Sequence, residues 1–291
     1  MTGDPDTVGG VLLASDLGAR CDRAAARAGR LHARLGGEAI AATAIEPALA
    51  PLRARASVPH WVLAIDPRRR AADRLRRQLA ATGAGGGWRI EVAEGVAGDQ
   101  LERLLDAAAE PPLVVTGPVR EGLFGPAVLG STVDRVLRRD RATLLMVRDW
   151  ADADYPRLLV ASDFSAPSRL ALQRAHALFP GVPVTVLHGF SVPMLGLLDA
   201  GRDSAIADIA RQAAADGEAF LRDSGFAPGS ASLVVEHGDP ARLLQQWLDS
   251  HGPALVVLGT HGHGAMYELA VGSVARRILA GTDADTLVVR G

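Results

Sequence analysis

The sequence predicts an α/β fold made of two repeated, open, doubly wound parallel sheets with five strands each. Short apolar runs alternate with helical stretches, which is typical of parallel strands joined by right-handed crossovers. The same order of elements occurs twice within 291 residues, a length sufficient for two domains. Aromatic residues make up only 4% of the chain, so Ala, Val, Leu and Ile must build the core, which suits helices packed on a buried parallel sheet.

Each copy opens with a short buried strand that ends at Ala-Ser-Asp, in the runs 11–16 and 158–163. An Ala-rich helix follows, then a second strand, a longer loop with an amphipathic helix, and a third strand that ends at a glycine before another helix. We predict these four elements at 20–35, 39–45, 67–81 and 89–93 in the first copy, and at 167–179, 184–190, 203–222 and 232–236 in the second.

The fourth strands, 113–117 and 255–259, are continuous apolar runs, as expected of central strands covered on both faces. Each leads through a glycine-containing loop to Gly-Ser at a helix start, at 130–131 and 272–273, and the last strands are 143–147 and 286–289. We therefore expect domains at 1–148 and 157–291 with a polar linker at 149–156. Pairing of the two last strands would cover sheet edges and give an intrachain pseudo-dimer; dimerisation of whole chains is a further possibility.

Composition excludes several classes of function. The 31 basic and 33 acidic residues leave a net charge of −2, so nothing indicates attraction to nucleic acid or to an anionic membrane. The chain has no lysine, which excludes a Gly-Lys-Ser/Thr phosphate loop, a Schiff-base lysine and a lysine general base.

The single cysteine, Cys21, cannot form an intramolecular disulfide and is predicted to be a small buried residue of the first helix. With no signal segment and no apolar run of membrane-spanning length, a cytoplasmic location is the expected default.

Ligands of open α/β sheets bind beyond the carboxyl ends of the strands. In the second copy this edge carries small residues with accessible backbone amides, and glycines let a phosphate chain approach them closely. Gly272-Ser273 at a helix start adds the positive end of the helix dipole and a hydroxyl donor. Together these groups could hold anionic oxygens without a lysine.

The spacing Gly259-x2-Gly262-x9-Gly272-Ser273 resembles the ATP-binding signature of the universal stress protein family, and Asp163 at the end of the first strand strengthens the match. The resemblance covers almost the whole chain as two copies, the tandem form of this family. It implies domains similar to the adenine nucleotide alpha hydrolases, and ATP, with or without Mg²⁺, as the cofactor.

The resemblance also implies roles for individual residues. Asp163 would face the adenine, the backbone at Gly189 would border the base, and Ala161 lies beside them at the strand end. The first two signature glycines would line the ribose and phosphate path, and the Gly-Ser-Val segment would cradle the phosphates. The residues assigned to this side of the site are Gly259, Thr260, Gly262, His263, Gly272, Ser273 and Val274.

The first copy departs from the signature. Gly117 and Gly130-Ser131 match, but Arg120 stands where the second glycine should be, and Ala97 replaces the proline that corresponds to Pro240. A guanidinium among phosphate-facing amides could occupy the anion site itself or pair with Glu121. We therefore predict that the first half binds ATP weakly or not at all and serves as a structural partner.

The predicted function is that of a nucleotide-binding regulatory protein of stress survival, with at most slow ATP hydrolysis. Two alternatives remain open: an ATP-hydrolysing or nucleotidyl-transferring enzyme that uses the same pocket, and a ligand-free interaction scaffold. His261 and His263 offer only a partial metal-ligand set and are expected to be exposed loop residues. His188 is expected to pack or hydrogen-bond at a strand end. No nucleophile, base and orienting acid converge in the sequence, so no catalytic residue is assigned.

Overall fold

A computed structural model describes residues 8–45, 66–118, 131–139, 142–150, 152–191, 202–260 and 271–290. The described residues up to 152 form one compact unit, and those from 153 onward form another. We refer to them as the first and the second unit. Tyr155, which we expected in the linker, packs within the second unit, where its hydroxyl donates to Asp285 Oδ2 at 2.6 Å and its ring meets Phe179.

The first unit is a parallel sheet with helices between successive strands. Its strands are β1 (Gly10–Ala14), β2 (Glu38–Ile45), β3 (Arg89–Glu94), β4 (Leu113–Thr116) and β5 (Thr143–Met146). Its helices are α1 (Arg20–Leu35), α2 (Pro67–Ala81), α3 (Ala97–Ala107) and α4 (Ser131–Leu137). The strand order β3-β2-β1-β4-β5 reverses direction between β1 and β4, which places the crevice of a doubly wound sheet at that point.

The second unit repeats this arrangement with the order β8-β7-β6-β9-β10. Its strands are β6 (Leu158–Ala161), β7 (Val184–Phe190), β8 (Ser232–His237), β9 (Leu255–Gly259) and β10 (Thr286–Val289). Its helices are α5 (Ala166–Leu178), α6 (Arg202–Asp223), α7 (Pro240–His251) and α8 (Ser273–Gly281). The predicted fold class, two open parallel sheets of repeated design, is thus confirmed.

The central strands explain why both sheets are stable. Val11, Leu12 and Leu13 of β1 are fully buried, as are Leu158 and Leu159 of β6. Burial of each such side chain contributes about 1.5–3 kcal/mol relative to exposure. Cys21 is 5% exposed in α1, as the sequence predicted. None of the described helices combines the length and hydropathy needed to cross a membrane.

Strand ends differ slightly from the predicted runs. The first strand of each unit stops at alanine, Ala14 or Ala161, and not at the following Ser-Asp pair. Each serine N–H still donates to the neighbouring strand, Ser15 to the Ala42 carbonyl and Ser162 to the Leu187 carbonyl. The strands end there because the serine and aspartate side chains bond to the backbone of the next turn, as short polar side chains often do.

Candidate functional site

The turn after β6 is held by two side chains. Ser162 Oγ accepts a hydrogen bond from the Phe164 N–H at 3.0 Å, and Asp163 Oδ1 accepts one from the Ser165 N–H at 3.1 Å. Phe164 has φ +62°, a conformation that bulky L-residues rarely adopt and that costs about 1–3 kcal/mol. The two hydrogen bonds offset this strain and fix the Asp163 carboxylate, which stays partly exposed, at the edge of the sheet.

The first unit has the same turn after β1. Ser15 Oγ accepts from the Leu17 N–H at 3.0 Å, Asp16 Oδ1 accepts from the Gly18 N–H at 2.7 Å, and Leu17 has φ +60°. The Ser-Asp pair therefore has a structural reason in both units. In the sequence the repeated pair was visible, but the strained residue after it was not.

His188 is part of the framework behind this turn. Its Nδ1–H donates to the Ser162 carbonyl at 2.8 Å, and its ring stacks on Phe164 with centroids 4.4 Å apart. A nitrogen engaged in this way orients the ring and cannot accept a proton from a substrate. The prediction that His188 packs and hydrogen-bonds at the strand end agrees with this arrangement.

Packing limits the room for a side chain at two of the assigned glycines, more strictly at Gly259 than at Gly189. A Cβ added at Gly259 would lie 2.9 Å from the Pro167 carbonyl oxygen, so the start of α5 could not approach β9. A Cβ at Gly189 would lie 3.1 Å from both Pro240 Cα and the Gly238 carbonyl oxygen at the start of α7. Close approach of helix to strand explains both glycines without a ligand.

Gly272 is different. An added Cβ there would meet its nearest neighbour, the Thr260 carbonyl oxygen, at an ordinary 3.5 Å, and φ is −63°, which any residue adopts. Among the described residues, neither packing nor backbone conformation thus requires a glycine at this position. Its N–H donates to the Thr260 carbonyl at 2.7 Å, which ties the start of α8 to the end of β9.

The N-terminus of α8 has no side-chain cap. Ser165 caps α5 by accepting from the Ser168 N–H, and Asp239 caps α7, whereas Gly272 at the same place on α8 has no side chain to do so. Ser273 and Val274 in the first turn are exposed. The first N–H groups of a helix have no partner within it, so this end is suited to an external anion.

Strand pairing gathers the remaining assigned residues at one edge of the sheet. Ala161, the last residue of β6, pairs with Leu187 of β7 and Leu258 of β9, so the residues that follow these strands are neighbours. Thr260 is 1% exposed and its N–H donates to the Val289 carbonyl at 3.1 Å, so its amide is already engaged. Gly262 and His263, together with His261, Arg120 and Gly130, lie outside the described residues.

One ion pair beside the site was not foreseen. Arg277 of α8 contacts Asp239 at 2.6 Å and links the starts of α7 and α8. The Arg242 backbone N–H, followed by Arg277, holds the pKa of Asp239 below its ordinary value. In the sequence, an aspartate directly before Pro240 is typical of a helix N-cap, and this pattern indicates the position of Asp239 at the start of α7.

Comparison with known proteins agrees with this architecture. Universal stress protein Rv2005c of Mycobacterium tuberculosis is 26% identical over 220 residues, which cover 73% of this chain and 74% of the relative. A universal stress protein of Mycolicibacterium smegmatis is 27% identical over 198 residues, 64% of each chain. The crystal structure of a universal stress protein from Archaeoglobus fulgidus superposes with a TM-score of 0.61 at 14% identity, covering 99% of this chain and 98% of that one, and shows the likeness of fold.

The model of the Universal stress protein family matches twice, at residues 9–148 and 154–290, one match for each repeat. Together the two matches cover nearly the whole sequence. The chain therefore belongs to the universal stress protein family, in a tandem form with two family domains.

Proposed function

We propose that the chain is an ATP-binding regulatory protein of stress survival, and that its second unit holds the nucleotide without efficient turnover. The observation that carries this proposal is the open start of α8. Within the part of the chain that the structure describes, neither packing nor backbone conformation requires a glycine at Gly272, and the two exposed first-turn residues after it have no side-chain cap. A phosphate group that approaches these N–H groups explains why a side chain is absent from Gly272.

The adenine base of the nucleotide would lie near Asp163, away from the phosphates at the start of α8. The Ser162 and Asp163 hydrogen bonds fix the carboxylate where an exocyclic amine could donate to it. Asp163 and the α8 N-terminus offer opposite chemistry, an acceptor for the base and donors for the phosphates. This polarity fits a nucleotide better than a uniformly charged or uniformly apolar ligand.

Isothermal titration of the full-length protein with ATP tests the proposal. We expect Gly272→Leu to weaken ATP binding at least ten-fold, because its side chain would cover the first-turn N–H groups. Gly281→Leu is the matched control, since Gly281 ends the same helix, is exposed and has no atom within 4 Å of an added Cβ. Equal affinities of the two variants would refute the placement of the phosphates.

An ATP hydrolysis assay on the same proteins distinguishes a nucleotide-binding regulator from an enzyme. With ATP and Mg²⁺ present, we expect fewer than one ADP per protein on the timescale of nucleotide exchange. Repeated turnover by the wild type that Gly272→Leu abolishes would favour the hydrolase or transferase alternative. An absence of ATP binding by the wild type would favour the ligand-free scaffold.

A further inference from the structure

Helix α2 of the first unit has a strongly basic outer surface. Its sequence contains six arginines and one aspartate, and all six arginines are exposed. The side of the helix that packs on β2 and β3 is apolar and buried, and consists of Ala71, Leu75 and Leu79. The apolar side is therefore used by the fold, and the charged side faces solvent.

Contacts within the unit engage half of these arginines. Three of them bond to the Glu94 and Asp73 carboxylates and to the Leu17 carbonyl. Among the described residues, the other three guanidinium groups have no hydrogen bond or ion pair, and they belong to Arg69, Arg70 and Arg77. Arg70 and Arg77 are two helical turns apart and lie on one face, with about 10 Å between them along the axis.

The corresponding helix of the second unit, α6, has the opposite charge. Both helices connect the second and third strands of their unit, and α6 packs on the end strand β8 as α2 packs on the end strand β3. The sequence of α6 contains five acidic residues and three arginines. Asp216 and Asp223 are both exposed and are also two turns apart on one face. Their spacing therefore matches that of Arg70 and Arg77.

The carboxylates of α6 are accessible to a partner. Asp216 accepts a hydrogen bond from the neutral Gln212 amide at 2.9 Å, which leaves its charge uncompensated by that contact. Asp223 contacts Arg169 at 3.3 Å, and both side chains are exposed. Exposed ion pairs of this kind are weak, so Asp223 can exchange Arg169 for another guanidinium.

The difference in charge extends beyond the two helices. Residues 1–152 contain 21 arginines and 19 acidic residues, whereas residues 153–291 contain 10 arginines and 14 acidic residues. The two halves of the chain thus carry net charges of opposite sign. A uniform polyanion would be attracted by α2 but repelled by the second half, whereas another copy of the chain offers a complementary surface to both.

We propose that two copies of this chain associate through α2 of one and α6 of the other, packed antiparallel. In this arrangement Arg70 faces Asp223 of the second copy, and Arg77 faces Asp216. Antiparallel packing also places the positive N-terminal end of each helix beside the negative C-terminal end of its partner. The contact is independent of the nucleotide site proposed for the second unit. Since its charges are exposed, salt should weaken it.

Sedimentation velocity of the full-length protein with exchanged charges tests the proposal. We expect the wild type to self-associate at about 50 mM NaCl and to dissociate at about 500 mM, where the Debye length is much shorter. The variant R70E/R77E and the variant D216R/D223R should each be monomeric, because α2 and α6 then carry like charges. An equimolar mixture of the two variants should associate again, because each supplies the charge that the other has reversed.

The mixture also shows that both variants are folded, because unfolded chains would not restore a specific contact. R103E/R138E reverses two exposed arginines elsewhere in the first unit and is the control, which should associate like the wild type. A wild type that remains monomeric at about 50 mM NaCl would overturn the proposal. So would variants that associate as strongly alone as the wild type does, or a mixture that remains monomeric.

Discussion

Glycines at the strand ends of the second unit occur for two different physical reasons, and substitution can separate them. We expect Gly259→Ala to lower the free energy of unfolding by about 1–3 kcal/mol, because the new Cβ would collide with the Pro167 carbonyl oxygen at 2.9 Å. Gly272→Ser should change it by less than about 0.5 kcal/mol, since its Cβ has room among the described residues and serine is at least as favourable as glycine at a helix N-cap. Urea denaturation of both variants measures the difference, and equal losses would contradict the distinction.

The Cys21 thiol should be unreactive near neutral pH. Burial, followed by the neighbouring Asp16, raises its pKa to about 11, so the neutral thiol is favoured in the folded state. A cysteine with an ordinary pKa of about 8.5 has roughly two hundred-fold more thiolate at pH 8. We expect iodoacetamide to react slowly with the folded protein at pH 8 and faster as the pH rises to about 11. In urea the reaction at pH 8 should be as fast as that of an ordinary cysteine. Rapid alkylation of the folded protein at pH 8 would show that the thiol is not protected.

The raised pKa of Cys21 also affects stability. Its contribution is complete below the pKa of the unfolded thiol and is lost as the pH rises through about 11. The sequence predicted a buried cysteine from its place in an Ala-rich helix. It could not reveal the contact with Asp16, at 3.2 Å, which depends on the turn between them.

The residue types in the sequence indicated which positions are important, but they did not reveal the structural role of each position. Gly259 and Gly189 were assigned to a ligand, yet each also has a packing partner that is close only after the sheet and helices assemble. Asp163 was assigned to the adenine, and the structure adds a turn-forming role shared with Asp16. Such contacts join different elements, so local sequence patterns do not contain them.

At the scale of elements, the N-cap of α7 gives a test with a defined pH dependence. Asp239 accepts hydrogen bonds from the Ala241 and Arg242 N–H groups, both at 3.1 Å, and we expect Asp239→Ala to cost about 1 kcal/mol at pH 7. Its pKa is lowered by folding, so its contribution is present above the ordinary value of about 3.9 and is lost as the pH falls through the lower folded value.

Chemical denaturation of the wild type and Asp239→Ala at pH 7 and pH 2.5 measures this contribution. The stability difference between the two proteins should shrink at the acid pH. An exposed aspartate in the same helix, Asp249, is the control position, and Asp249→Ala should change stability little at either pH. A difference that persists at pH 2.5 would show that the carboxylate charge is not the source of the cap's contribution.

Element types and order were predictable because the central strands are apolar on both faces and the helices are bounded by proline or glycine. The ranges of α1, α2, β7, β9 and β10 match the predictions residue for residue. The other boundaries differ by one or two residues. At the ends of β1 and β6 the cause is a Ser-Asp pair, which can extend the strand or bond to the next turn. Only the three-dimensional turn decides between these two outcomes.

For the whole molecule, the two units should respond differently to ATP. Binding to the folded state alone stabilises the part that binds, by about 2.7 kcal/mol at a hundred times Kd. Hydrogen exchange of the full chain should therefore slow in the first turn of α8 and the turn after β6 when ATP is added. The turn after β1 should exchange at an unchanged rate, and slowing there of equal size would contradict a nucleotide-free first unit.

The duplicated architecture could be predicted because a repeat is visible in the printed sequence. The open space at the sheet edge of the first unit could not be predicted, since residues from β1, β2, β4 and α3, which are far apart in the chain, line it together. Pairing between the last strands of the two repeats stays a prediction, as do the linker bounds, a cytoplasmic location and dimerisation of whole chains.

The near-identical strand order of the two units has a consequence for biosynthesis. A strand of one repeat could pair with the incomplete sheet of the other, and such mispairing is a characteristic form of misfolding in duplicated chains. At a translation rate of about 5–20 residues per second, the N-terminal repeat is complete roughly seven to thirty seconds before the second repeat. Domains of this kind fold in milliseconds to seconds. The first sheet can therefore form before the strands of the second repeat have been synthesised.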